Sequence, residues 1–274
     1  MLPANTSLGR VHLRIADMAQ SLAFYRDLLG LVEMDGASGS VVLGPPGGRA
    51  LIELTEVPGT HARQRGTVGL YHFALLYPNR RELGRTLLQL FEQRWPFEGF
   101  ADHAVSEAAY LPDPDGNGIE LYADRPRDDW PLQNGEVAMT TLALNVNSLI
   151  RSVDADEWSG AHADTIVGHI HLHTADLRKA IHFYRDVIGF DVTSQSHPGA
   201  AFLSAGGYHH HVGLNTWLRK GNPFDPEAAG LIEYTIEPHD AAARSALLDR
   251  VRSAGGVVED NAFTDPDGNR IVVA

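Results

Sequence analysis

VHLRIADMAQSLAFYRDLLGL, residues 11–31, returns as IHLHTADLRKAIHFYRDVIGF at residues 170–190. The two stretches share HL, AD, FYRD and a Gly before the last residue, at an offset of 159. A second pair, DPDGNGIEL at 113–121 and DPDGNRIVV at 265–273, repeats at an offset of 152. The second half of the chain therefore copies the first, and a fixed internal period points to a modular fold. Each half divides again. GRVH (9–12), GLYH (69–72), GHIH (168–171) and GLIE (230–233) each open an apolar run of strand character.

A helix is expected after each opening run. In the first, Asp17 suits an N-cap, Leu22, Tyr25, Leu28 and Leu29 form one apolar stripe, and Gly30 suits the C′ position. The others are expected at 79–93, at 176–188 ending at Gly189, and at 240–254 ending at Gly255. Three short strands with Gly/Pro turns should follow each helix, as in SVVLGPPGGRALIELTEV at 40–57. The unit reads βαβββ four times. A lone unit leaves one sheet face uncovered, so units must pair around a cavity into which every second strand residue points. The expected fold is α+β: four βαβββ modules pairing into two curved-sheet half-barrels with helices outside. The first half spans 1–124 (modules 8–57 and 68–124), a polar connector 125–166, and the second half 167–274 (modules 167–218 and 229–274).

The composition narrows the function. The chain has 274 residues, 43% apolar and 21% charged, which is ordinary for a soluble globular protein. A net charge of −13 argues against a nucleic-acid footprint and against an anionic membrane surface. No apolar run approaches the roughly 18 residues of a spanning helix, and MLPANTSLGR lacks the pattern of a signal peptide. The expected address is the cytoplasm. There is no Cys, so a metal site would fall to His and carboxylates. Of 14 His, nine lie between 162 and 211.

Strand alternation selects the first candidates. Glu120 shares a face with Tyr122, opposite Ile119 and Leu121, and His72 lies opposite Tyr71 and Phe73. A single strand Glu is most often solvated, and a single strand His is most often a hydrogen-bonded core residue. If both are buried they need partners, and a divalent metal would satisfy both. His12, His72 and His171 each hold the fourth position of an opening strand, which suggests a shared inward geometry. After the two DPDGN turns, Glu120 in the first is replaced by Val272 in the second.

The four βαβββ units, FYRD-x-x-G and DPDGN together resemble the vicinal oxygen chelate superfamily of glyoxalases, bleomycin resistance proteins and extradiol dioxygenases. HAVSEAAYLPDPDGNGIELYADRP (103–126), GHIHLHTADL (168–177) and GGYHHHVGLNTW (206–217) look like the catechol 2,3-dioxygenase group. That resemblance implies Fe(II), or Mn(II), held by two His and one Glu, with a catechol-type substrate and O2. Carried over residue by residue, it implies His72, Glu120 and His171 as metal ligands, with Tyr110 and His103 in the active site. It implies His210 as acid–base, in the context His210-His211-Val212-Gly213-Leu214. His209 and His211 are the alternatives for that role if the register shifts by one. Because the acid–base strand lies in module three, the resemblance pairs module two with module three. Should modules one and two share a cavity instead, His12 becomes the third ligand. With modules two and three paired, the cavity of modules one and four, with Glu233 and Val272 at the corresponding places, would be structural.

Two other readings stay open. ALIELTEV (50–57) resembles a glyoxalase strand carrying a metal Glu, and His12, Glu53, His72 and Glu120 would then hold Ni(II) or Zn(II) for an isomerase or lyase. A metal-free cavity would instead sequester a small aromatic or an antibiotic. No partner beyond small molecules is implied, and the oligomeric state is open.

Overall fold

Asp17, Asn79, Asp176 and Asp240 each stand just before a helix and accept a hydrogen bond from a backbone N–H of its first turn. Short oxygen-bearing side chains favour that N-cap role. In the computed structural model the first half begins with β1 (Ser7–Ile15), α1 (Met18–Leu22), β2 (Val32–Met34), β3 (Val41–Gly44) and β4 (Ile52–Glu56). It continues through β5 (Gly69–Tyr77), α2 (Arg80–Glu92), β6 (Gly99–Asp102), β7 (Ser106–Pro112) and β8 (Gly118–Asp124). The connector carries β9 (Leu132–Gln133), β10 (Glu136–Val137), β11 (Leu142–Ala143) and α3 (Val146–Ile150). The second half has β12 (Ile166–His173), α4 (Leu177–His182), β13 (Asp191–Ser194), β14 (Ala200–Ser204) and β15 (Val212–Asn215). It ends with β16 (Gly230–Glu237), α5 (Ala241–Ser253), β17 (Ala262–Thr264) and β18 (Arg270–Val273). The structure describes residues 1–36, 38–64, 66–133, 135–153, 158–217, 223 and 225–274, and the expected module end at 218 lies outside the described residues.

Two features differ from the sequence reading. The helices of the first and third units are not uniform: α1 and α4 each run on into a π-helical turn, Ala23–Leu28 and Phe183–Ile188, which contains FYRD. The wider turn is visible in Leu29 N–H donating to Phe24 O and Gly189 N–H donating to Tyr184 O. The fourth unit has only two strands after its helix, β17 and β18, preceded by an isolated bridge between Glu259 and Ala262. Asp260 and Asn261 are both left-handed, at φ 49° and 61°, which interrupts an extended chain there.

The two repeated motifs meet. Tyr25 O–H donates to Asp113 Oδ2 at 2.8 Å, and Tyr184 O–H donates to Asp265 Oδ2 at 2.8 Å. The rest of each DPDGN turn closes on the same Asp. Asp113 Oδ1 accepts from the backbone N–H groups of Asp115 and Asn117, and Asn117 Nδ2–H donates to Asp113 Oδ2. Asp265 repeats these contacts with Asp267 and Asn269. Gly116 and Gly268 take φ of 85° and 90° in these turns, which favours glycine. Burial raises the Asp113 carboxyl to about 6. FYRD and DPDGN are thus one buried lock, and the repeated turn is structural. Removing the phenol leaves a buried carboxyl oxygen short of a donor, so Tyr25→Phe or Tyr184→Phe should cost about 1–3 kcal/mol. Urea unfolding checks this, and unchanged midpoints would show that the lock is dispensable.

The strands form two large curled sheets, each a half-barrel. One has the order β17-β18-β16-β1-β4-β3-β2, and the other β11-β6-β7-β8-β5-β12-β15-β14-β13. The first therefore combines units one and four, and the second combines units two and three. Each is centred on an antiparallel pair that crosses the sequence halves, β1 with β16 and β5 with β12. The helix α2 packs on β5 and β8. Among the described residues no helix is long and apolar enough to cross a membrane.

Candidate metal centre and active site

The register of four strands builds the centre. Tyr110 of β7 stands opposite Glu120 of β8, Glu120 opposite Ala74 of β5, and Ala74 opposite His169 of β12. These residues form one row across the sheet. His72 is two residues from Ala74, so it lies on the same face in the next row, directly opposite His171. The small side chain of Ala74 leaves the space in which the carboxylate and the imidazole meet. His169 Nε2 hydrogen-bonds Glu120 Oε2 at 3.1 Å. His72 Nε2 is also 3.1 Å from that oxygen, yet it is a buried nitrogen with no hydrogen bond. His169 Nδ1 is likewise buried without a partner. One ligand atom from each of His72, Glu120 and His169 lies within 4.8 Å of the others.

This donor set fits a divalent metal. A buried polar nitrogen left unpaired costs about 1–3 kcal/mol, and a cation would take up the His72 lone pair. Two imidazoles and a carboxylate are the ligand types that transition metals accept when thiolates are absent. Burial would raise the Glu120 carboxyl, but His169 and His72 more than offset it and hold it well below the usual range. Burial pushes His169 down to about 4. At neutral pH the cluster is therefore one carboxylate beside a neutral His169 imidazole.

The third imidazole differs from the sequence expectation of His171. His171 Nε2 accepts a hydrogen bond from Asn215 Nδ2–H at 3.0 Å, and its ring packs over Gly213, where a Cβ would lie 2.8 Å from Cγ. His173 Nδ1–H in turn donates to Asn215 Oδ1 at 2.6 Å. His72 and His171, each at the fourth position of an opening strand, do face each other. The carboxylate, however, comes from one side only, in the row of Ala74, and that row leads to His169. The alternating histidines of GHIHLH already placed His169, His171 and His173 on one face; the pairing register chooses among them. Filling the gap should block the cluster. Ala74→Leu is expected to fold, to lose about 1–3 kcal/mol by overpacking, and to bind metal about 10–100-fold more weakly. Metal titration of the refolded variant is the check, and unchanged affinity would refute the crowding argument.

A cavity of about 670 Å3 is lined by His72 and Glu120 of the cluster and by His171, whereas His169 is not among its lining residues. Its polar lining includes His72, Glu120, Tyr110, His103 and His210, and its apolar walls include Phe97, Val105, Phe202 and Trp217. His103 lies in the β6–β7 turn, beside Ala104 at φ 65°. Its Nδ1–H donates to the Thr140 carbonyl at 2.6 Å, so in the neutral ring Nε2 accepts from Tyr110 O–H at 2.7 Å. Burial and the adjacent Glu120 charge raise the Tyr110 phenol well above its usual value, so it remains a donor.

The three consecutive histidines precede β15 rather than lying within it. Their side chains diverge. His209 Nε2–H donates to Asp124 Oδ1 at 2.9 Å, His210 lines the cavity with its ring 4.1 Å from that of His169, and His211 Nδ1 accepts from Ala205 N–H. Asp124 and His169 escaped the sequence reading.

The other sheet carries no comparable cluster among the described residues. Arg10, at the offset of His169, is paired with Glu53 at 2.9 Å, and Glu53 also accepts from Ser40 Oγ at 2.6 Å. Glu233, opposite His12, is paired with Arg270 at 3.0 Å. His12 Nε2 and Thr55 Oγ1 share a hydrogen bond of 2.8 Å. Guanidinium groups thus neutralise the carboxylates there. His12 and Glu53 lie in the other sheet from His72 and Glu120, so the four-residue glyoxalase set does not assemble.

A family model described as the glyoxalase/bleomycin resistance protein/dioxygenase superfamily matches residues 7–121 and 166–273. The chain is 41% identical over 269 residues to catechol-2,3-dioxygenase of Bacillus subtilis (strain 168), covering 96% of this chain and 94% of that one. Among solved structures, glyoxalase I from Zea mays superposes with a TM-score of 0.59 at 17% identity, covering 98% of this chain and 92% of that one. The cppA protein from Streptococcus pneumoniae TIGR4 also gives 0.59, at 13% identity, covering 97% and 98%. At such identities these two speak to the fold alone.

Proposed function

The chain belongs to the glyoxalase/bleomycin resistance protein/dioxygenase superfamily, and from that premise we propose that it is an extradiol dioxygenase. Its substrates would be a catechol-type aromatic and O2, and its metal a non-haem Fe(II), with Mn(II) also suited to the donors, held by His72, Glu120 and His169. The observation that carries this reading is the convergence of those three side chains, two of which, His72 and Glu120, line a cavity that also presents Tyr110, His103 and His210. The identity of 41% to a catechol-2,3-dioxygenase over 96% of the chain supports it.

Bound there, the metal would supply the redox chemistry and open positions at which a diol and O2 can be brought together. The remaining work falls to side chains. Glu120 contributes a negative charge that two imidazoles alone would not. His210 takes a proton from a substrate hydroxyl and returns it as the ring opens, a task that suits an imidazole. Tyr110, whose O–H is held by His103 Nε2 in the free site, turns that proton to the substrate as it binds, donating from a phenol that stays protonated. Phe97, Val105, Phe202 and Trp217 seat the aromatic ring and limit water. The test is anaerobic purification, metal analysis and addition of catechol in air. A yellow ring-opened product with one O2 consumed per catechol is expected. Bound nickel or zinc with no O2 uptake would overturn the reading.

A further inference from the structure

We propose that Asp124 and His209 are positioning residues that hold His210 in the tautomer whose Nε2 lone pair is available to the cavity. The inference rests on the reading of His210 as acid–base, and adds what makes it one. It starts from a chain of short contacts. Asp124 Oδ1 to His209 Nε2 is 2.9 Å, and His209 Nδ1 to His210 Nδ1 is 2.8 Å. A carboxylate only accepts, so His209 carries its proton on Nε2. The neutral His209 ring then has a lone pair on Nδ1, and the second contact requires His210 to supply the proton from its own Nδ1. The neutral His210 ring is left with its lone pair on Nε2. That nitrogen is therefore a base, and it can pick up a proton while Nδ1–H stays bonded to His209.

The surrounding fold holds this chain in place. Along β8, Glu120, Tyr122 and Asp124 share a face. Glu120 joins the ligand cluster, Tyr122 O–H and Tyr208 O–H share a hydrogen bond of 2.7 Å, and Asp124 takes His209. Tyr208 and His209 are thus docked side by side on the strand that bears the ligand Glu, and His210 is bonded to the second of them. His209 is 1% exposed, and its ring lies 5.2 Å from that of Trp130. Packing alone would leave its two nitrogens free to point anywhere; both are instead directed to named partners.

Two variants and two readouts test the proposal. Asp124→Ala removes the acceptor, and His209→Phe keeps a ring against Trp130 but removes both nitrogens. In the iron-loaded protein, each should lower kcat roughly ten- to a hundredfold, as lost support for a working group does, with KM for catechol and iron content unchanged. Nitrogen-15 spectra of histidine-labelled, full-length, zinc-loaded protein should show His210 protonated on Nδ1, and that preference should be lost in both variants. Wild-type kcat in both variants, with His210→Ala still slow, would overturn the positioning role and spare the acid–base reading. Full activity in His210→Ala would sink the acid–base reading itself. The nitrogen spectra decide the tautomer in either case: a His210 protonated on Nε2 in the unsubstituted protein refutes the proposal.

Discussion

His169→Ala is expected to strip the protein of its metal, whereas His171→Ala is expected to keep it. His169 sits 3.1 Å from Glu120 in the ligand cluster, and His171 is held by Asn215. Losing a residue that only supports a ligand costs about 10–100-fold in metal affinity, so His171→Ala should weaken binding by no more than that. Loss of a direct ligand should exceed it, and His72→Ala and Glu120→Ala should behave like His169→Ala. His12→Ala should leave the metal untouched, because His12 bonds Thr55 in the other sheet. Metal per chain, measured on purified protein with its urea midpoint, is the deciding quantity. Stoichiometric iron in His169→Ala with none in His171→Ala would return the third-ligand role to His171.

His210→Ala and Tyr110→Phe separate using the metal from holding it. Neither residue belongs to the candidate cluster of His72, Glu120 and His169, so both variants should retain iron and bind catechol. Loss of a general acid–base should lower turnover about 10²–10⁴-fold, and loss of a positioned hydrogen-bond donor about 10²–10³-fold. Single-turnover ring opening under saturating catechol and O2, with iron measured on the same sample, reads both. Near-normal rates in His210→Ala would remove it from the chemistry. Loss of iron instead of rate would mean that the segment before β15 supplies a ligand, and the ligand set would have to be redrawn.

Much of the architecture is local and was therefore legible in the chain. The period, the N-cap at Asp17 and the Gly after the helix at Gly189 follow from short-range hydrogen bonding and backbone preference. The DPDGN turn is equally local, since five of its hydrogen bonds return to its own first Asp or close the turn. The π turn was not legible, because it joins the Tyr25 phenol to Asp113, 88 residues away.

The sequence by itself determined the α+β repeat, the inward faces of the strands, and the asymmetry that leaves Glu120 after one turn and Val272 after the other. Those properties depend on side-chain period and on residue identity, and both are written along the chain. Only the tertiary structure decided which imidazole completes the cluster and what faces His210. A strand's parity repeats every two residues, so His169, His171 and His173 are equivalent until a partner strand sets the register. The antiparallel pairing of β5 with β12 places His171 opposite His72, while the parallel pairing of β5 with β8 puts Glu120 beside Ala74 and hence in line with His169. Asp124 and His209 are 85 residues apart and meet only because the segment before β15 folds back over β8. No periodicity within either stretch encodes that distance.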